Sequence, residues 1–150
     1  MRNWFENLDH FSIYLFIAGT YTPFLINVVA EPWKTRILIL IWSIAFVGIC
    51  YTHFRSRLPL WAQKRWVYTG IFVLMGWTLG LRVGEIIDKL SSLEVSFLLM
   101  GGFCYTVGAL IYALKKPDLF PGFFGFHELW HVAVLLGALF HYFLIYQFYI

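Results

Sequence analysis

The chain has 150 residues, of which 61% are hydrophobic and only 13% are charged. Soluble domains carry about 25% charged residues, so this composition excludes an ordinary soluble domain and predicts an integral membrane protein. The net charge of +3 is small and dispersed, which argues against a nucleic-acid partner. Cys50 and Cys104 lie in apolar runs and are predicted to be buried free thiols.

Apolar segments of membrane-spanning length follow one another along the chain. A helix needs roughly 20 apolar residues to cross a hydrocarbon core of about 30 Å. The first run is too long for a signal peptide, so we expect it to be retained. The sequence predicts an all-α, multi-pass membrane helix bundle, a single domain over 1–150 with five transmembrane helices, at about 10–30, 35–53, 66–83, 93–114 and 127–149.

Lysine and arginine residues predict the orientation of these spans, because they concentrate in cytoplasmic loops. The N-terminus and the second and fourth connectors hold seven of them, and the other side holds four. The count predicts that the N-terminus lies in the cytoplasm and the C-terminus outside. We expect the protein in the plasma (inner) membrane. Interfacial aromatic residues are predicted near span ends at Trp4, Trp33, Trp61, Trp66 and Trp130.

Glycines in two spans predict close helix packing. Gly76, Gly80 and Gly84 form two overlapping G-x-x-x-G steps, which let helix backbones approach and most often mean packing within one chain. Gly101 and Gly102 are predicted to do the same in the fourth span.

Two histidines four residues apart open the fifth span. His127 and His131 share one face of a helix and could bind one metal ion, with Glu128 between them. The pair would supply two of the ligands that zinc requires. Histidines at a membrane interface are also found hydrogen-bonded or exposed, so the spacing alone leaves both interpretations open.

The protease version of this motif is incomplete. No acidic residue follows His131, and His141 lies ten residues on, which is about 15 Å along a helix. No Asn-Pro-Asp-Gly stretch of an intramembrane metalloprotease is present. Glu128 could act as a general base. The preferred interpretation is that its negative charge lies at the helix N-terminus, where the helix dipole favours it.

Asp9 and His10 lie at the start of the first span, on the same predicted side of the membrane as the histidine pair. Both are therefore candidates to lie at the depth of His127 and His131, although Asp9 could instead be a helix N-cap. Asp118 follows Pro117 and is predicted to be a turn residue. His53 is predicted to be an interfacial histidine. His141 and Tyr142 are predicted to face the interior of the bundle.

Three stretches of the sequence resemble a known family. They are LDHFSIYLFIAGTYTPF, GGFCYTVGALIYALKKPDLFPGFFGFHELWH and LGALFHYF, which begin at Leu8, Gly101 and Leu136. They resemble the hemolysin III group of the progestin and adipoQ receptor family, part of the CREST superfamily. That family includes the adiponectin receptors and is related to the alkaline ceramidases.

The resemblance implies a seven-helix bundle with a zinc site near the cytoplasmic face. It implies that His127 and His131 are zinc ligands. Asp9, followed by Ile13 in the same motif, corresponds to an aspartate that contacts the zinc through a water or hydroxide. Ser12 would lie close to this cavity.

The chain departs from the family pattern at its start. Family members carry two further helices before the L-D-H motif, and one of them supplies the third histidine from an S-x-x-x-H motif. His53 follows that motif and does not correspond to this histidine. We therefore expect a truncated form or fragment, a partner chain or homo-oligomer that supplies the missing helices, or direct binding of the metal by Asp9 or His10.

The resemblance implies three functions. The leading hypothesis is a zinc-dependent membrane hydrolase of the ceramidase or amidase type, with Asp9 as the catalytic base and a membrane lipid amide or ester as substrate. The second is a non-catalytic, receptor-like or lipid-sensing bundle with structural zinc. The third is a membrane-permeabilising hemolysin.

Overall fold

The structure is a computed structural model that describes residues 2–120 and 122–150. The side chains of four residues near the start lie outside the described part, among them Arg2 and Trp4, which the orientation and interface predictions used. The described chain divides into two compact units, Met1–Leu81 and Arg82–Ile150. Each unit is treated by itself below.

The described residues form six α-helices and two short 3-10 helices. In chain order they are α1 (Arg2–Val28), α2 (Trp33–Phe54), a 3-10 helix (Arg55–Arg57), α3 (Arg65–Gly76), a 3-10 helix (Thr78–Arg82), α4 (Val83–Lys89), α5 (Ser92–Leu114) and α6 (Phe126–Gln147). Within the described part of the chain, five stretches are long and apolar enough to cross a membrane, namely Asn7–Val28, Trp33–Arg57, Arg65–Lys89, Ser92–Leu114 and Phe126–Gln147. The prediction of an all-α protein with five spans is confirmed, and the chain is an integral membrane protein.

The third span differs from the uninterrupted helix that the sequence predicts. Its α-helix ends at Gly76, a 3-10 segment follows, and α4 continues to Lys89. Glycine loses more conformational freedom in a helix than any other residue, so a glycine every fourth residue weakens the helix here. The predicted close packing at Gly76, Gly80 and Gly84 is wrong, because a β-carbon at any of them would meet no described atom within 4 Å.

In the first unit, one face of α1 packs against α2. Buried residues of α1 recur every three or four positions, as expected for one helix face, and include Tyr14, Ala18, Tyr21, Leu25 and Val28. The Tyr14 ring lies directly on the backbone of Gly48 in α2, where a β-carbon would overlap the ring. The Tyr21 hydroxyl donates to the carbonyl of Met75 at 2.8 Å, which ties α1 to the end of α3.

In the second unit, α5 and α6 pack as an antiparallel pair. We name their contact the glycine seam, because a ring or small side chain of one helix lies on each of three glycines of the other. The His141 ring lies on Gly101 and the Tyr105 ring lies on Gly137. At the third position Trp130 and Ala133 lie on Gly108. Small residues allow this close approach of two backbones inside a membrane.

Local signals fix the ends of α5. The Ser91 hydroxyl accepts a hydrogen bond from the Glu94 backbone N–H at 3.3 Å. The Glu94 carboxylate accepts from the Ser91 backbone N–H at 2.7 Å in return, which completes a capping box. The helix stops at Lys115, whose φ of 56° is left-handed, and Pro117 follows.

Several predictions for single residues need correction. Trp130 is only 4% exposed and packs in the glycine seam, so it is not an interfacial aromatic residue. Tyr142 is 60% exposed and does not face the interior, whereas His141 does. The two cysteines are free, as predicted, but half-buried rather than buried. Gly102 meets nothing within 4 Å, so only Gly101 of that pair mediates close packing.

Candidate metal centre

His127 and His131 stand together on the first two turns of α6. Their Nε2 atoms are 3.1 Å apart, and their ring centroids are 4.7 Å apart in a T-shaped arrangement. Tetrahedral zinc bound by two imidazoles at about 2.0–2.1 Å would separate the two nitrogens by about 3.3 Å. The observed pair therefore has the spacing that a shared zinc ion requires, and the donor atoms fit the metal.

The Glu128 side chain has a different role from the histidine pair. Its carboxylate accepts a hydrogen bond from the Gly125 backbone N–H at 2.9 Å. This contact satisfies one of the unpaired donors at the start of α6, and the side chain is exposed. The prediction that Glu128 serves the helix N-terminus is confirmed.

Asp9 lies inside α1 and is half-buried. The helix begins at Arg2, seven residues earlier, so the interpretation of Asp9 as an N-cap is wrong. The hydroxyl of Ser12 donates to the backbone carbonyl of Asp9 at 2.7 Å. Ser12 is exposed and occupied with this local contact.

His10, the neighbour of Asp9, is enclosed within the first unit. It is 0% exposed, and its ring meets the ring of Tyr68 edge-on at 4.5 Å. Phe72 stacks with the imidazole at 6.0 Å. These contacts assign His10 to the packing of α1 on α3.

Asp9 belongs to the first unit, and both histidines belong to the second. The candidate metal centre that the structure describes is therefore the histidine pair of α6, whose two imidazoles suit zinc and other first-row divalent metals.

Two other polar candidates are placed elsewhere. His53 is exposed near the end of α2. His141 lies in the glycine seam, where its Nε2 is buried and has no hydrogen-bond partner among the described residues.

A cavity lies beside His127 in the second unit. It has a volume of about 310 Å³, which is at the lower end for small-molecule sites. Its lining combines carboxylates, aromatic rings and the imidazole, and comprises Asp118, Gly122, Phe123, Gly125, Phe126, His127 and Glu128. Asp118 is in the loop, as predicted, and its carboxylate lies against Gly125.

Trp130 and Tyr112 support the histidine pair, and the sequence prediction missed both. Trp130 contacts His127 at 5.4 Å and His131 at 4.7 Å between ring centroids. Tyr112 of α5 packs on Trp130 at 4.2 Å and on His127 at 5.7 Å. The signal that could have found them is the spacing of Gly101 and Gly108, which marks the face of α5 that α6 approaches.

The sequence matches the model of the family described as Haemolysin-III related over residues 1–142. The chain belongs to the haemolysin III family. It is 35% identical to Hemolysin-3 of Bacillus cereus over 134 residues, 89% of this chain and 56% of that protein. It is 33% identical to the Hemolysin-3 homolog of Bacillus subtilis (strain 168) over 135 residues, 89% of this chain and 57% of that protein.

The haemolysin III chain also matches a eukaryotic receptor. It is 26% identical to the Adiponectin receptor protein of Drosophila melanogaster over 159 residues, 95% of this chain and 34% of the receptor. The predicted link to the progestin and adipoQ receptor family is confirmed. The chain spans about half the length of the Bacillus relatives it matches. No solved structure matches it.

Proposed function

We propose that this haemolysin III family protein binds one zinc ion through His127, His131 and Asp9 and hydrolyses an amide or ester bond of a membrane lipid. The observation that carries the proposal is the 3.1 Å separation of the two imidazole Nε2 atoms. Asp9 enters the proposal through the resemblance of its motif to the family and through its place at the start of the first span.

The order of the spans supports the grouping of these residues at one membrane face. Asp9 lies near the start of the first span and His127 near the start of the fifth. Odd-numbered spans of a multi-pass protein run in the same direction, so both starts face the same side. The excess of lysine and arginine on that side, seven against four, favours the cytoplasm, with the C-terminus outside.

The proposed chemistry divides between the metal and Asp9. Zinc supplies Lewis acidity, which polarises a carbonyl oxygen and makes water acidic enough to ionise near neutral pH. The Asp9 carboxylate accepts the proton of the attacking water and later delivers it to the leaving amine or alcohol. The water oxygen bonds to the carbonyl carbon, the carbon–nitrogen or carbon–oxygen bond breaks, and a fatty acid is released.

The substrate class follows from the setting of the site. Its residues lie at the ends of apolar spans, so a substrate with long acyl chains reaches them from the bilayer. The cavity beside His127, of about 310 Å³, would accommodate the polar part of such a lipid. Its two carboxylates favour a polar group that carries hydrogen-bond donors.

Zinc content tests the metal site. Purified wild-type protein should hold about one zinc per chain, and His127→Gln/His131→Gln should hold almost none, because two imidazole ligands are lost. His53→Gln is the matched control and should keep the wild-type content, since that histidine is exposed. A half-stoichiometric wild type would indicate a site shared between two copies or completed by a partner chain. Equal, near-zero zinc in all three would end the proposal.

Product formation tests the reaction. Wild-type protein in lipid vesicles should release fatty acid from a lipid amide such as a ceramide, or from a lipid ester. Asp9→Asn should lose at least about a hundredfold in rate, the lower range for a removed general base. A zinc-loaded wild type that releases no fatty acid from either substrate class would refute the hydrolase.

The relatives' names favour two other functions. Similarity to an adiponectin receptor protein favours a non-catalytic, receptor-like bundle. If its zinc is structural, Asp9→Asn would leave zinc content and stability unchanged. Similarity to Hemolysin-3 favours membrane permeabilisation, which dye leakage from vesicles would reveal. Leakage that persists in His127→Gln/His131→Gln would separate that activity from the metal site.

A further inference from the structure

The histidine pair is supported by aromatic residues that are not candidate ligands. Trp130 lies between His127 and His131 in sequence and contacts both rings, at centroid distances of 5.4 and 4.7 Å. Trp130 is 4% exposed and Tyr112 is 3% exposed. The indole is therefore enclosed and in contact with both imidazoles.

The position of the indole is in turn set by α5. A β-carbon at Gly108 would lie 3.3 Å from Trp130 Cδ1 and 2.9 Å from Ala133 Cβ. Tyr112, one turn further along α5, covers the indole at 4.2 Å. The missing side chain at Gly108 is what lets the indole lie against α5.

We propose that Trp130, seated between Gly108 and Tyr112, is a positioning residue that fixes the two imidazoles of His127 and His131 at metal-binding spacing. The role of Trp130 in metal binding rests on the proposed function, whereas its role in positioning the two imidazoles does not. Residues that orient metal ligands contribute about 10- to 100-fold to metal affinity in other metalloproteins. The glycine seam thereby sets the metal affinity of the site, although His127 and His131 are not part of the seam.

Gly108→Ala tests this directly, and Gly102→Ala is its matched control. Both substitutions add one methyl group to α5, but at Gly102 the methyl would meet nothing within 4 Å. Cobalt(II) replaces zinc as a coloured probe. We expect Gly108→Ala to bind cobalt about tenfold more weakly and to change the position and intensity of the visible absorption per bound cobalt. Gly102→Ala should match the wild type in both.

A change in absorption per bound cobalt separates positioning from mere destabilisation, because partial unfolding lowers occupancy without altering the spectrum of the sites that remain. Trp130→Phe is the second variant, for use if Gly108→Ala does not fold. It keeps an aromatic ring but is smaller, and it should shift the spectrum in the same sense. Wild-type affinity and an unchanged spectrum in the folded variants would overturn the inference.

A metal-free measurement keeps the inference distinct from the proposed function. Acylation of His127 and His131 by diethyl pyrocarbonate, mapped by mass spectrometry, reports how the rings are held. The ratio of the two modification rates should change at least about twofold in Gly108→Ala and stay constant in Gly102→Ala. If wild type binds no metal but this ratio changes, the proposed function fails and the positioning role stands. An unchanged ratio would contradict the positioning role itself.

Discussion

The Nε2 atoms of His127 and His131 lie 3.1 Å apart, one turn from each other on α6. Two neutral imidazoles reach this distance in only two ways, through a shared proton or a shared metal ion. Trp130 contacts both rings. Packing of this kind holds the two imidazoles in one orientation, which lowers the entropic cost of binding a metal ion.

Glu128→Ala should weaken the second unit without affecting its metal. The Glu128 carboxylate accepts a hydrogen bond from the Gly125 N–H, and loss of a capping side chain destabilises the start of a helix. We expect a lower melting temperature in detergent and unchanged zinc content. Glu128→Gln, which keeps an accepting oxygen, should fall between this variant and wild type. Full loss of hydrolysis in Glu128→Gln with normal stability would instead assign Glu128 a role as general base.

Gly101→Ala should destabilise the second unit, whereas Gly102→Ala should not. A β-carbon at Gly101 would overlap the His141 ring, whereas a β-carbon at Gly102 would meet nothing within 4 Å. Overpacking costs about 1–3 kcal/mol, while alanine in a free helical position is neutral or favourable by up to about 1 kcal/mol. Thermal unfolding in detergent measures the difference. Equal melting temperatures would show that the seam is looser than the distances indicate.

The same comparison is available in the first unit. A β-carbon at Gly48 would overlap the Tyr14 ring, and one at Gly19 would meet nothing within 4 Å. Tyr14 is 0% exposed and has no room to retreat. We expect Gly48→Ala to lower stability by about 1–3 kcal/mol and Gly19→Ala to leave it unchanged. A folded Gly48→Ala protein with wild-type stability would contradict the described packing of α1 on α2.

Tyr21→Phe tests the link between α1 and the end of α3. The hydroxyl donates to the Met75 carbonyl at 2.8 Å, where the α-helix is about to end, and Tyr21 is 5% exposed. Removing the hydroxyl should cost about 1 kcal/mol. Faster hydrogen exchange at the amides after Gly76 would show that the break in the third span depends on this bond. If hydrogen exchange and melting temperature both stay unchanged, the Tyr21 hydrogen bond does not determine the break in the third span.

Much of this molecule could be predicted from apolar run length and from spacing. Length alone identified the five spans, because a helix must satisfy its own backbone in lipid. The i, i+4 spacing identified the shared face of His127 and His131, which is a local property of any helix. Asp9 was found through the resemblance of its motif to a family, not through its local sequence.

The sequence did not predict which side of each helix faces another helix. Interior and lipid-facing positions are both apolar in a membrane, so hydrophobic periodicity is weak. Trp130 therefore reads as an interfacial residue although it is buried. Gly76 and Gly80 match a packing motif but meet nothing, whereas Gly108, outside that motif, carries a close contact. The position of the neighbouring helix shows which of these glycines pack closely.

Zinc K-edge X-ray absorption of the purified protein tests the proposed donor set most directly. The account predicts scattering from two imidazoles and from oxygen ligands, at about 2.0–2.1 Å. The imidazole scattering should disappear in His127→Gln/His131→Gln, and Asp9→Asn should change only the oxygen shell. A wild-type spectrum without imidazole scattering, or one that His127→Gln/His131→Gln leaves unaltered, would contradict the metal centre.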